Sequence, residues 1–292
     1  MSYIKRFTGI LATIAALAVI TSGSATLKLV EANSAPTGWV VESHLREAPI
    51  GVQLAKNAPN KAQNSEAHFA AQLATLGVEL IPGTEHREDS HPTVESSTHC
   101  KALVYEALMQ LPAEHRNKLL DLTLFYTEDG RRGLGGSGGI VLRCLNMTDS
   151  EVVGVLTHEM GHIVDDAYLT GTNTAPKSRF KDFSTPVPSD DPSVLFYKIS
   201  WSTDVRAKAG SNSLDFVSGY ASSDPFEDFA ETYALYLLHG EEFRELMTTS
   251  DRLAQKYNFM KRIVFGGKEF GDDRITQEVD PYVRTFDVTI LP

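Results

Sequence analysis

The sequence predicts an α+β domain with a small mixed sheet, and four segments carry this prediction. Two short apolar runs, 122–126 and 140–145, have the composition of strands, and a glycine-rich loop, 133–139, lies between them. An amphipathic helix is predicted at about 149–166, and a second helix starts after Asp224. A few strands followed by packed helices are typical of an α+β fold.

The first 25 residues have the pattern of an export signal. Lys5 and Arg6 precede an apolar run, 7–20, and small residues at 23–25 offer a cleavage site. The apolar run is shorter than the roughly 20 residues that a membrane-spanning helix needs. We therefore expect a secreted or periplasmic protein without stable membrane insertion after signal cleavage, and membrane anchoring remains the alternative.

Residues 26–95 are predicted to be a linker or pro-segment, partly disordered, with a short helical stretch at 65–76. Most of this region is rich in Ala, Asn, Pro and Ser and poor in large apolar residues, so it buries little surface. The catalytic domain is predicted at 96–265. A C-terminal tail, 266–292, has no assigned role and contains a possible strand at 285–291.

The catalytic domain is predicted to begin with a helix through Cys100 to Leu111, and Pro112 opens a second short helix. The chain has two cysteines, Cys100 and Cys144. An even cysteine count in an exported chain favours a disulfide, although spacing alone does not show that the two sulfurs meet.

Charge and composition exclude several functions. The chain has 292 residues, 42% of them hydrophobic, and a net charge of -11. Such a charge disfavours binding to nucleic acid or to an anionic membrane. The glycine run lacks the Gly-Lys-Ser/Thr ending of a phosphate-binding loop, so nucleotide binding is not expected either.

The predicted helix at 149–166 contains the pattern His-Glu-x-x-His. His158 and His162 stand one turn apart on one face, where two imidazoles can bind one metal ion. Glu159 points about 100° away from His158, a direction suited to contacting a metal-bound water. Thr148 to Glu151 reads as a capping box at the helix start. Without a third ligand, an ordinary amphipathic helix remains the alternative.

The third ligand can be sought by exclusion. Asp165 and Tyr168 occupy the positions where a metzincin has Gly and His, so that class is excluded. No Glu or His stands between Ile163 and Phe226. The first downstream glutamate is Glu227, on the helix predicted after Asp224 and Pro225. Glu231 shares its face and is placed to accept a hydrogen bond from a ligand histidine, unless the pair is simply a solvated acidic face.

These two segments resemble the catalytic domain of anthrax toxin lethal factor and its relatives, which include the Pro-Pro endopeptidases. The helix His158-Glu-Met-Gly-His-Ile-Val-Asp-Asp166 is similar to His-Glu-Phe-Gly-His-Ala-Val-Asp-Asp of lethal factor. Tyr220 and Glu227 keep the family's interval of seven residues. The resemblance implies a zincin-like fold, Zn²⁺ held by His158, His162 and Glu227, Glu159 as general base, and Tyr220 as a hydroxyl donor.

The function predicted on this basis is that of a secreted zinc-dependent metalloendopeptidase, gluzincin-like, acting on peptide or protein substrates. Zinc-activated water would attack the peptide bond while Glu159 removes its proton. Three alternatives stay open: a catalytically silent zinc-binding interaction domain, a cell-wall peptide or amide hydrolase, and a toxin-like effector that cuts host proteins, which rests on the family resemblance alone. We also expect the strand before the active helix to be the sheet edge that receives substrate. Tyr197 and Trp201 either line the cleft or belong to the core.

Overall fold

The structure is a computed structural model that describes residues 66–83, 93–271 and 280–292. The predicted export signal and residues 26–65 of the predicted linker lie outside these ranges. The described helices are α1 Glu66–Thr75, α2 Val94–Gln110, α3 Ala113–Arg116, α4 Asp149–Ile163, α5 Ser193–Ser200, α6 Pro225–Leu238, α7 Gly240–Leu246 and α8 Asp251–Phe259. Helices α4 and α8 continue into single π-helical turns, Val164–Tyr168 and Met260–Val264. Short 3-10 turns lie at Ser213–Asp215, Tyr220–Ser222, Met247–Thr249 and Val288–Ile290.

The main sheet has four strands in the order β1-β2-β4-β3: β1 Glu79–Leu80, β2 Asp121–Phe125, β4 Gly139–Arg143 and β3 Gly133–Gly136. Strands β1, β2 and β4 are parallel, and β3 runs antiparallel to β4, so the sheet is mixed as predicted. Two small hairpins lie apart from it: β5 Lys177–Asp182 with β6 Thr185–Pro188, and β7 Trp201–Thr203 with β8 Arg206–Ala207.

The glycine run is a strand and a tight turn, so the prediction of a loop at 133–139 was wrong. Gly136 pairs with Gly139, and the two residues between them, Ser137 and Gly138, have φ of 53° and 85°. Two positive φ angles in a two-residue connection are typical of a type I′ hairpin turn. A Ser-Gly pair flanked by residues without bulky side chains was the available signal for this hairpin.

This hairpin also changes the edge of the sheet. The strand that directly precedes the active helix, β4, has β2 on one side and β3 on the other, so the expectation that it forms the edge was wrong. Within the described part of the chain, β3 is the edge strand on the side of α4. The sequence could not show this because the glycines of β3 have no side-chain pattern.

Helix α4 begins at the predicted place. The Thr148 hydroxyl accepts a hydrogen bond from the backbone N–H of Glu151 at 3.2 Å. The Glu151 side chain does not complete a capping box and instead accepts a hydrogen bond from Arg132 at 2.9 Å. Most of the helix is buried, as its broad distribution of apolar residues predicted.

Helices α4 and α6 pack directly against each other at the centre of the molecule. A Cβ at Gly161 would lie 2.8 Å from Cα of Ala230, so this crossing requires glycine. The buried ring of Phe229 contacts Phe196 of α5, and the buried ring of Tyr233 stacks on Phe265, which follows α8 and its π-helical turn. Close backbone contact between these two helices brings their polar faces to one place.

Segments outside the predicted catalytic domain also pack on this core. Strand β1 pairs with β2, and Phe69 and Leu73 of α1 are buried. Residues 285–291, here called the C-terminal strap, pack on α4, where a Cβ at Gly154 would lie 2.5 Å from the carbonyl oxygen of Thr289. The strap contains the 3-10 turn Val288–Ile290, so the predicted strand there was wrong.

The apolar run 194–201 belongs to the core. Residues 194–200 lie in α5 and Trp201 begins β7. Tyr197 and Trp201 are 2% and 3% exposed, so neither lines an open cleft. Cys100 and Cys144 are joined by a disulfide that links α2 to the residue after β4. None of the helices in the described ranges has the length and hydrophobicity needed to span a membrane.

Candidate metal centre and active site

The two histidines of α4 lie side by side at the surface that faces α6. Their ring centroids are 5.0 Å apart, and His158 is buried while His162 is partly exposed. Ligand atoms of His158, Glu159 and His162 all lie within 4.8 Å of one another, so these residues form a candidate metal group. The i, i+4 spacing on one helix face produces this arrangement.

Glu227 comes to the same point from α6. Asp224 caps this helix, with Oδ1 accepting hydrogen bonds from the N–H groups of Phe226 and Glu227 at 2.9 Å each. Oε2 of Glu227 lies 3.1 Å from Nε2 of His158 and 3.4 Å from Nε2 of His162. Atoms bound at about 2.1 Å to a tetrahedral zinc ion are about 3.4 Å apart, so these distances fit a shared ion.

The chemistry of the donors gives a second test of the fit. Nδ1 of His158 lies 2.8 Å from Oε1 of Glu231, and a carboxylate can only accept, so Nδ1 carries the hydrogen. Nε2 of His158 faces Oε2 of Glu227, and when the imidazole is neutral this nitrogen carries a lone pair, so that both facing atoms are acceptors. Two acceptors at this distance are stabilised by a cation between them, so the residues fit a bound metal.

Glu159 lies within the candidate metal group but is better placed for another role. Its side chain packs against the edge strand, where a Cβ at Gly133 would lie 2.3 Å from Oε1 and a Cβ at Gly135 would lie 2.5 Å from the Glu159 carbonyl oxygen. Burial raises the pKa of Glu159, and the nearby charges of His158 and His162 oppose this shift. Of the two carboxylates, Glu227 is the one whose Oε2 is close to both Nε2 atoms, whereas Glu159 is held against β3.

Tyr220 lies at the start of the 3-10 turn that leads into α6. Its hydroxyl donates a hydrogen bond to Oε1 of Glu227 at 3.0 Å, and its ring lies 5.9 Å from the ring of His158. Burial and the neighbouring charge of Glu227 raise the pKa of Tyr220, so the hydroxyl stays protonated and remains a donor. The structure therefore brings together all six residues singled out in the sequence: His158, Glu159, His162, Tyr220, Glu227 and Glu231.

Electrostatics keep the site anionic at Glu227. Burial raises the pKa of Glu227, but the charges and hydrogen bonds of His162 and His158 outweigh it and leave the pKa well below its usual value. Burial and the charge of Glu227 raise the pKa of Asp224 to about 6. Glu227 therefore stays ionised, which is the form in which a carboxylate binds a metal.

Several residues that support the site were not predicted from the sequence. Ser218 donates a hydrogen bond to Oε2 of Glu231 at 2.6 Å. Asp228, next to Glu227, is fully buried and accepts hydrogen bonds from Lys256 Nζ at 2.8 Å and Trp201 Nε1 at 2.9 Å. These contacts join residues 13 to 28 positions apart, and no local pattern marks them.

A comparison with known protein families gives a match over the same region of the chain. A family model described as "Putative zinc-binding metallo-peptidase" matches residues 144–262, which include both helices of the site. Over this segment the chain is similar to a zinc-binding metallopeptidase. The family's zinc binding agrees with the donor set of His158, His162 and Glu227. Neither the comparison with curated proteins nor the comparison with solved structures gives a match.

Proposed function

We propose that the protein is a secreted zinc-dependent metalloendopeptidase of the gluzincin type, related to the lethal factor-like peptidases. The observation that carries this proposal is the convergence of Nε2 of His158, Nε2 of His162 and Oε2 of Glu227, with distances of 3.1 and 3.4 Å from the carboxylate oxygen to the two nitrogens. Two imidazoles and one carboxylate are the protein ligands of catalytic zinc in thermolysin and carboxypeptidase A.

The residues around the ligands have chemical roles that fit peptide hydrolysis. Zinc, when bound, would polarise the scissile carbonyl and lower the pKa of a water molecule. Glu159 would accept a proton from the attacking water on its carboxylate and pass it to the nitrogen of the leaving amine. A raised pKa suits this exchange because the same group must hold and release the proton.

Tyr220 would donate a hydrogen bond to the oxygen that gains negative charge as the carbonyl is attacked. Its hydroxyl donates to Oε1 of Glu227 at 3.0 Å, so it lies beside the proposed zinc ligands. A well-placed donor of this kind contributes about 2.7–4 kcal/mol to the transition state.

The edge strand β3 would bind the substrate backbone. It pairs with β4 on one side and contacts Glu159 through its glycines, so an extended peptide added to its other side would lie beside the general base. Export is proposed from residues 1–25 and is supported by the disulfide between Cys100 and Cys144, because disulfides persist in oxidising compartments.

The test combines metal analysis with peptide cleavage. Purified protein should carry about one zinc ion per chain and cleave a peptide library in a chelator-sensitive way. Glu159→Gln should retain zinc and lose turnover, whereas His162→Ala should lose both. The exposed Glu245 provides a matched control, since Glu245→Gln should change neither property.

Three results would contradict the proposal. An active Glu159→Gln enzyme would show that Glu159 is not the general base. Bound zinc without turnover on any peptide would favour the interaction domain. Turnover only on a peptidoglycan digest, assayed beside the library, would favour the cell-wall hydrolase.

A further inference from the structure

The carboxylate of Glu231 is fixed from two sides. Oε1 of Glu231 lies 2.8 Å from Nδ1 of His158, and this bond sets the tautomer of the imidazole that faces the metal position. Oε2 accepts one hydrogen bond from the Ser218 hydroxyl at 2.6 Å and another from the backbone N–H of Val288 at 2.9 Å. Glu231 is fully buried, so these donors replace the water it would otherwise bind.

The same segment that contributes Val288 also holds Tyr220. The N–H of Tyr220 donates to the carbonyl oxygen of Phe286 at 2.6 Å, and the N–H of Gly219 donates to the carbonyl oxygen of Thr285 at 2.9 Å. A Cβ at Gly219 would lie 2.9 Å from the ring of Phe286, so the two backbones are in close contact. The C-terminal strap therefore contacts both the turn that carries Tyr220 and the carboxylate behind His158.

The strap is itself anchored to the active helix and the edge strand. Arg132, next to β3, forms ion pairs with Asp287 of the strap and with Glu151 of α4. It also donates a hydrogen bond to the hydroxyl of Thr289 at 3.0 Å. One guanidinium thus joins the strap to the two elements that hold Glu159.

From these contacts we propose that the C-terminal strap is a positioning element of the metal centre, with the backbone N–H of Val288 as its key group. This inference rests on the proposed function. The N–H of Val288 fixes Oε2 of Glu231, and Glu231 then orients His158 for metal binding. Loss of a group that orients a ligand histidine typically weakens metal affinity 10–100-fold.

A proline substitution can remove this one hydrogen. Val288 is the first residue of a 3-10 turn, a position where proline is well tolerated because its N–H has no partner within the turn. The preceding residue, Asp287, has φ of -147° and ψ of 129°, which is the extended conformation that residues before proline adopt. Val288→Pro should therefore fold and lose the donor, and Val288→Ala is the control that keeps the N–H.

The experiment measures zinc affinity by chelator competition on the full chain, together with thermal stability of the metal-free protein. We expect Val288→Pro to weaken zinc binding by about 10–100-fold. Val288→Ala should lower thermal stability through lost packing and leave zinc affinity within about threefold of the wild type. In a Glu231→Ala background, Val288→Pro should have little further effect on zinc, because both changes act through one carboxylate.

The outcomes separate this inference from the proposed function. A wild-type protein that binds no zinc would contradict the proposed function. Wild-type zinc affinity in Val288→Pro, or full additivity with Glu231→Ala, would overturn only the role of the strap. If Val288→Pro does not fold, the variant Asp287→Ala tests the strap instead. Weakened zinc affinity in Asp287→Ala would support the positioning role of the strap, and unchanged affinity would overturn it. Asp280 is exposed, and Asp280→Ala is the control.

Discussion

Nδ1 of His158 lies 2.8 Å from Oε1 of Glu231, which is 73 residues further along the chain. This contact joins the helix that supplies both imidazoles to the helix that supplies the carboxylate. It leaves Glu227, one turn earlier on α6, free to approach both Nε2 atoms. The two glutamates therefore make different contacts with His158 although they share a helix face.

Substitutions of the two glutamates should lower the zinc affinity to different extents. Glu227→Ala removes an oxygen at 3.1 Å and 3.4 Å from the two Nε2 atoms and should abolish zinc retention. Glu231→Ala leaves all three ligands in place and should weaken zinc binding by about 10–100-fold. Chelator competition measures both, and the reverse order would show that the ligand lies one helical turn further along α6.

Glycine at position 133 should be required for turnover but not for zinc binding. A Cβ there would lie 2.3 Å from Oε1 of Glu159, so Gly133→Ala must displace the proposed general base. A displacement of about 1 Å can reduce the rate by about 100-fold. Leu134→Ala on the same strand is the matched control, since its side chain points to the opposite face. Equal turnover in Gly133→Ala and wild type would contradict the placement of Glu159.

The disulfide should contribute to stability rather than to chemistry. Cys100 and Cys144 close a loop with a sequence separation of 44, and a bond of this kind stabilises a protein by about 2–4 kcal/mol. A Cys100→Ser, Cys144→Ser double variant should unfold at a lower temperature and keep its zinc affinity while folded. Calorimetry with and without reductant measures the effect, and reductant should change the wild type only. Equal melting temperatures would show that the bond does not constrain the unfolded chain.

Asp165 should make stability depend on pH. It is buried, its Oδ2 accepts a hydrogen bond from the Tyr197 hydroxyl at 2.6 Å, and burial raises its pKa to about 7. Because the folded pKa exceeds the unfolded pKa, the stabilisation is complete below about pH 4 and is lost as the pH rises through 7. Each pKa unit of difference corresponds to about 1.4 kcal/mol.

Asp165→Asn therefore should melt at a higher temperature than the wild type at pH 8 and at a similar temperature at pH 4, in metal-free protein. The neighbouring Asp166 is exposed, and Asp166→Asn is the control that should not gain stability at pH 8. A pH-independent difference between Asp165→Asn and the wild type would show that the Asp165 carboxyl does not titrate in this range.

The sequence by itself determined the local features of this protein. The i, i+4 spacing of His158 and His162, the cap at Thr148 and the Asp224-Pro225 helix start are short-range patterns, and each lies where it was expected. The absence of Glu and His between Ile163 and Phe226 also identified the acidic helix without a structure. These patterns can be recognised without the tertiary structure because helix geometry and capping depend on neighbours within about four residues.

Only the tertiary structure decided the features that depend on long-range contact. It made β3 the edge strand, since a glycine run has no side chains whose alternation could reveal its partner. It placed the N–H of Val288 on Glu231, 57 residues away, and no residue pattern encodes a backbone donor. Side-chain spacing fixes which atoms can bind a metal, whereas the packing of distant segments fixes how those atoms are held.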